Sequence, residues 1–453
     1  YRDLLLRMAR DTERSAFERM SVLRLLPRLQ VVEVDTLKPF LGSPDVPTVE
    51  AALGALVWLD KPEPALPLLL ENLDGDRARV AMYAVPRVAK RVSSETLAST
   101  LGALLSREKL KVTVHKEALR LLGTLRSPRS LALLRQQWDR PQLHRDVRIA
   151  VGHAARQLLD EPAAWELLES MARSPDEYVA TSLLDAHPGR MPLETRPRYA
   201  ALVLQVSRHP DLTVRRRAFT VLPGWSAGME EQVAQEAAGR VLDLSGGAEW
   251  REAAWALVEA TREGKAFEQV VACASRLVSE PPTPDATPER DVPARQRLMG
   301  LHQVLLELPR PVRVGLKARL DEVARVLARD ASLWPESAAL RLASLEWREA
   351  RAVSEVLRGL AAETREEPLF AQSLADGVAT ELEDASAGWT PELLLEVAGQ
   401  VGPELPLTAV ELISVAGQRL HWREDAASRL RALRQHPSAA VRATAYATVT
   451  ERE

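Results

Sequence analysis

The chain has 453 residues, with 60 Lys/Arg against 63 Asp/Glu and a formal net charge of −3. That balance excludes a uniformly basic nucleic-acid coat and an acidic disordered tail, and a hydrophobic fraction of 46% is ordinary globular usage. The single cysteine, Cys273, excludes an intramolecular disulfide and a Cys-based metal cluster, and no run nears the ~18 apolar residues of a membrane span.

The first residues, Tyr1-Arg2-Asp3-Leu4, lack a signal-peptide pattern, so a cytoplasmic location is expected. From Val49 onward one pattern recurs. A polar or Asp/Pro turn is followed by Val, often by Arg, and by a small residue four places on. Its starts fall at Val49, Val80, Val114, Val147, Val179, Val214 and Trp250, and a last copy begins at Val441. Steps of 31 to 36 residues fit one helix–turn–helix unit, whereas strand arrays repeat at much shorter intervals. Within a copy the apolar residues stand at i, i+4, i+7 and i+8, as in Val114, Ala118, Leu121 and Leu122, which is one helical face. The i+4 residue is Ala84, Ala118, Ala218 or Ala445, small enough for a neighbouring helix to approach closely. Segments between copies, such as 131–138, carry a second helical pattern. One such pair cannot bury its own apolar face, so pairs must stack.

The turn Asp or Pro, the Val-Arg pair and the following Ala resemble a HEAT-repeat array. The best matches are Asp146-Val147-Arg148, Asp211 with Val214-Arg215, and Pro437 with Val441-Arg442. Armadillo and tetratricopeptide arrays are the nearest alternatives, but the full tetratricopeptide Trp/Gly/Tyr pattern is missing. The resemblance implies an all-α fold: a right-handed superhelical α-solenoid of about 12–13 antiparallel helix pairs. It also implies that Asp146, Arg148, Asp211, Arg215 and Arg442 are structural, forming an inter-repeat ladder.

Charge is uneven along the chain. Residues 1–230 hold 34 Lys/Arg and 28 Asp/Glu, while 231–453 hold 26 and 35. Between Arg77 and Arg148, 16 basic residues face five acidic ones. The resemblance puts the second helix of each pair on the concave face. There Arg87, Lys90, Arg91, Lys116 and Arg120 would form a positive groove for an anionic partner.

Other motifs carry less. Asp74-Gly-Asp76 opens like a calcium loop, but the twelfth position is Val85, where a Glu is needed. It reads as a turn in which Asp76 caps the next helix. Ser106-Arg-Glu-Lys109 matches S-x-x-K without the K-T-G and S-D-N motifs that go with it. Trp138-Asp139 is the only adjacent Trp/Asp pair of the basic region. Gly224-Trp-Ser226-Ala-Gly228 matches G-x-S-x-G, yet it follows a helical pattern, and a nucleophile elbow needs a strand. The eight histidines, among them His115, His153 and His187, are dispersed, and none stands in a metal-binding motif. Cys273 sits in an apolar helical stretch as a small core residue. No cofactor is called for.

The segment 280–293 holds five prolines and reads as an exposed loop or linker. The expected division is therefore a solenoid over 1–279, basic around 77–148, the linker 280–293, and an acidic helical-repeat segment over 294–453. The expected function is a non-catalytic scaffold or adaptor that binds a protein partner along the solenoid, with exposed Trp as anchors. Nucleic-acid binding by the basic groove at 77–148 is the alternative. The HEAT resemblance also admits an enzyme, similar to the alkylpurine DNA glycosylases or bilin lyases. No membrane partner is expected.

Overall fold

The computed structural model describes residues 1–29, 32–61, 63–73, 78–107, 110–125, 128–280, 294–362, 368–383 and 388–448. Among these residues there are 27 α-helices and no strand. Leaving aside the short Arg310–Gly315 helix, twenty-six helices follow one another in chain order, and most consecutive couples pack on each other, as Glu230–Leu242 on Trp250–Thr261 and Pro391–Val401 on Pro406–Arg419 do.

The helices begin where the sequence supplies caps. Ser15 and Glu18 form a reciprocal capping box, Ser93 accepts the Thr96 amide, and Thr390 accepts the Leu393 amide. Pro162, Pro391 and Pro406 stand at first helical positions, where no amide donor is needed. A histidine device recurs at the turns. His144, His187, His209 and His436 each accept, at Nδ1, the amide two residues on, at 3.0–3.2 Å. The Nδ1 acceptor leaves the proton on Nε2, and His209 uses that nitrogen on the carbonyl of Ser174, one repeat earlier, at 3.1 Å.

Packing density divides the described chain into two units, Tyr1–Val214 and Arg215–Glu453, each with stacked pairs of its own. The division falls within the Leu212–Val221 helix, not at the Pro-rich segment. The helices that flank that segment, Glu268–Ser279 and Ala294–Glu307, pack on each other within the second unit. Residues 281–293 themselves lie outside the described residues.

In the first unit the second helices of the pairs stack in a row: Val46–Leu56, Ala78–Ala89, Val112–Gly123 and Arg145–Ala155. The signature residues Val49, Val114 and Val147 are buried in this row, as are Ala84 and Ala118, while Val80 is half-buried. Gly123 marks the closest approach. A Cβ there would stand 2.9 Å from the Ala154 Cα, so only Gly lets the two helices touch.

In the second unit the core is again Leu, Ala and Val, with Trp347 and Trp422 fully buried in it. Arg297 is completely buried and caps the end of the Glu230–Leu242 helix, donating to the carbonyls of Val241, Asp243 and Gly246. Arg310 and Arg313 share the half-buried Glu381 at 3.4 and 3.6 Å. Six of the ten tryptophans are buried, and Trp58 and Trp255 are the exposed ones.

A common device ties neighbouring pairs. A long donor reaches a main-chain carbonyl one repeat away: Arg91 to Val57, Arg140 to Leu105, Arg310 to Leu345 and Arg429 to Leu395. The acceptors stand at or beside helix C-terminal ends, or within a helix for Leu395. End carbonyls have no partner inside their own helix.

Candidate functional site

The exposed stripe of the second helices in the first unit follows directly from the buried one. In Val112–Gly123, burial of Val114, Ala118, Leu121 and Leu122 leaves Thr113, Lys116 and Arg120 outward at i, i+3 and i+7. In Ala78–Ala89 the same logic exposes Tyr83 and Arg87, with Lys90 and Arg91 just past the helix end.

The five basic residues singled out from the sequence are not equivalent there. Arg91 donates to the carbonyls of Val57 and Asp60, at 2.9 and 3.3 Å. Arg120 makes a two-pronged pair with Glu117, at 2.8 and 2.6 Å, and the hydrogen bonds to Glu117 raise its already high pKa. Lys116 stands 3.8 Å from Asp146 of the next pair. Arg87 and Lys90 are exposed, and their side chains make no hydrogen bond or ion pair with a described residue.

The five residues given a ladder role also take different partners. Asp146 meets Lys116, and it does not pair with Arg148. Arg148 instead donates to the Arg140 carbonyl and lies over the Trp138 ring, 5.2 Å from its centroid. Asp211 caps its helix by accepting the Val214 amide at 3.0 Å. In the second unit Arg215 pairs with the fully buried Glu249, 34 residues on, at 2.7 Å. Arg442 reaches back to the carbonyls of His436 and Pro437. The guanidinium is long enough to satisfy turn carbonyls, and no side-chain pattern displays those acceptors.

Two groupings were not visible beforehand. The first joins three consecutive pairs. Lys116, Arg156 and Asp185 all lie within electrostatic reach of His153. Burial, then the Arg156 cation, hold the His153 pKa below the ordinary value; Asp185 opposes this and Lys116 adds to it. Beneath them the buried Tyr199 donates its hydroxyl to the Leu183 carbonyl at 2.8 Å, and burial pushes its phenol up to about 12. The signal was register: Lys116 is two places after its signature Val, and His153 and Asp185 are each six places after theirs.

The second grouping is a cleft of about 480 Å³ between the entry ends of Val112–Gly123 and Arg145–Ala155. Its polar lining is Ser106, His115, Arg140, Gln142 and His144; Leu110, Val112, Pro141, Leu143 and Val147 complete it. His115 is buried and meets Gln137 through Nε2 at 2.9 Å. Burial holds its pKa down, Gln137 opposes this, and Arg140 adds to it. His115 looked like an ordinary residue of a repeat helix, and only the turn that brings Arg140 and His144 beside it makes a site.

The remaining motifs resolve simply. Ser226 follows the Leu222–Trp225 3₁₀ turn and donates to the Pro223 carbonyl, in a region without strands among the described residues. Asp74-Gly-Asp76 and the last two residues of Ser106–Lys109 lie outside the described residues. Trp138 is engaged by Arg148, and Asp139 by Arg135. Cys273 is buried. No group of three His, Cys, Asp or Glu able to hold a metal occurs among the described residues. No described helix is long and apolar enough to cross a membrane.

No protein-family model and no curated protein matches the chain. Solved structures do. A crystal structure of a Kap121p mutant aligns with a TM-score of 0.50 at 13% identity, covering 99% of this chain and 53% of that one. The karyopherin Kap121p bound to the extreme C-terminus of the protein phosphatase Cdc14p aligns with the same score, identity and coverage. The chain thus spans about half the length of the structures it matches. At this identity the likeness concerns fold, and the fold is that of a HEAT-repeat, armadillo-like α-solenoid.

Proposed function

We propose that the chain is a non-catalytic cytoplasmic scaffold that binds an acidic, extended segment of a protein partner along the second-helix row of its first unit. The observation that carries this reading is the exposed stripe. The Arg87 and Lys90 side chains lack described partners there, Lys116 is only loosely paired, the exposed Tyr83 stands on the same row, and the exposed Tyr178 stands on the Glu177–Thr181 helix that packs on Arg145–Ala155. Cations beside aromatic rings suit carboxylate-rich peptides with apolar anchors. Arg145 over the Tyr178 ring, 4.1 Å from its centroid, shows such a pairing within the chain itself. The likeness to a karyopherin solved with the end of another protein supports the same reading.

Nucleic acid fits the stripe less well. A phosphate track needs many unengaged cations, whereas Arg91 and Arg120 are already engaged within the chain.

The test is fluorescence anisotropy at two salt concentrations. The probes are a labelled Glu/Asp-rich peptide carrying aromatic residues, and duplex and single-stranded DNA. Peptide binding that falls at least about tenfold on reversing Arg87 and Lys90 to Glu supports the proposal. Tighter binding of DNA with a steep salt dependence overturns it in favour of a nucleic-acid partner.

A further inference from the structure

We propose that the cleft at the entry of the Val112–Gly123 and Arg145–Ala155 helices binds a small carboxylate that carries an apolar body. This does not depend on the partner stripe, because the cleft opens beside the inter-helix turns and includes neither Arg87 nor Lys90.

Three observations carry it. The volume, about 480 Å³, is that of a small-molecule site and exceeds what one or two trapped waters need. The charge of the described lining is of one sign: Arg140 contributes a permanent cation, and none of the described lining residues is acidic. A metal cation is therefore disfavoured, and an anion is matched.

The cation is also held in place. Arg140 donates from Nη2 to the Leu105 carbonyl at 2.6 Å, and its own carbonyl accepts from Arg148. One of its five N–H donors is thereby engaged, and the fork is oriented before any ligand arrives. His144 has a fixed tautomer, because its Nδ1 accepts the Asp146 amide and its N–H is left on Nε2. His115 adds a second imidazole.

The other half of the lining sets the body of the ligand. Leu110, Leu143 and Val147 offer apolar surface beside the Arg140 head. Inorganic phosphate would leave that surface wet, and a neutral apolar molecule would leave the guanidinium without an acceptor. A flat or branched acid of about ten heavy atoms satisfies both halves.

The experiment uses the full chain and three probes: benzoate, its neutral analogue benzamide, and inorganic phosphate. Binding is read by saturation-transfer NMR and by the shift of melting temperature. Benzoate is expected to bind in the millimolar range or tighter, at least about tenfold better than the other two. Arg140→Gln is expected to abolish the preference for benzoate over benzamide. Because that variant also loses the bond to Leu105, Leu143→Trp serves as the second test. It fills the cleft without touching Arg140, and it should weaken benzoate about tenfold or more with the fold retained. No benzoate binding, equal binding of benzamide or phosphate, or benzoate binding unchanged in folded Leu143→Trp would each overturn the proposal.

Discussion

Arg140 and Leu105 are 35 residues apart, one repeat step, and are joined by a hydrogen bond of 2.6 Å from the guanidinium Nη2 to the carbonyl oxygen. Arg91 and Val57 repeat the relationship earlier in the chain, and Arg429 and Leu395 repeat it near its end. A helix-end carbonyl has no partner within its own helix, so the donors to Val57 and Leu105 satisfy acceptors the helix leaves open, whereas Arg429 adds a second bond to a carbonyl inside a helix.

The bond can be measured directly. Arg91→Ala and Arg429→Ala are each expected to cost about 1 kcal/mol. The check is urea denaturation, with a matched Lys90→Ala, which breaks no bond to a described residue, changing stability by less than about 0.5 kcal/mol.

Glu249 and Arg215 form a different kind of link. The carboxylate is fully buried and also faces Arg240 at 3.7 Å. Arg215→Ala leaves that carboxylate with one distant cation and is expected to destabilise by about 3 kcal/mol. The double variant Arg215→Met, Glu249→Leu should recover much of the loss, because it removes the buried charge as well. Stability no better than that of the single variant would contradict this account.

Two glycines make opposite predictions. Gly123→Ala drives a methyl against the Ala154 backbone and is expected to cost about 1–3 kcal/mol. Gly54→Ala, in the Val46–Leu56 helix with open space around its Cβ position, should stabilise by about 0.5–1 kcal/mol. Thermal melts of the two variants read the contrast.

Stability should fall on mild acidification. Burial is the first cause that lowers the pKa of His115 and of His302, against the opposing bonds to Gln137 and to the Glu336 carbonyl. The unfolded chain therefore binds protons that the folded chain refuses. The stabilising contribution is complete above the ordinary value of 6.5 and is lost as pH falls through it toward the lowered folded values. Urea titrations at about pH 7.5 and about pH 5.5 should differ, and His115→Gln and His302→Gln should each narrow the difference.

Much of the fold was legible because stacking leaves a periodic trace. The signature residues Val49, Val114, Val147, Val179, Val214, Trp250 and Val441 are all buried, as are Ala84, Ala118, Ala218 and Ala445. The charged residues were harder to read. Arg91, Arg148 and Arg442 answer to main-chain carbonyls, and every residue has a carbonyl, so nothing in the pattern marks the partner. The cleft was illegible for a related reason. His115 and Arg140 meet only through the stacking of two pairs.

The thiol gives an independent view of the second unit. Burial pushes Cys273 up to about 12, so almost no thiolate is present at neutral pH. A thiol reagent should react at the rate of unfolding and not at the rate of a surface cysteine. Fast labelling of the folded chain would contradict the packing around the Glu268–Ser279 helix.

The bond from Arg140 to Leu105 also bears on how such a chain can lengthen or shorten over time. A donor that addresses the carbonyl one repeat back is indifferent to which copy supplies it. Duplication or loss of a whole repeat hands each arginine an equivalent acceptor and leaves the array sealed. An insertion of half a repeat would set the donor opposite the wrong helix and leave a carbonyl bare. The hydrogen-bond step thereby sets the unit in which this molecule can be edited.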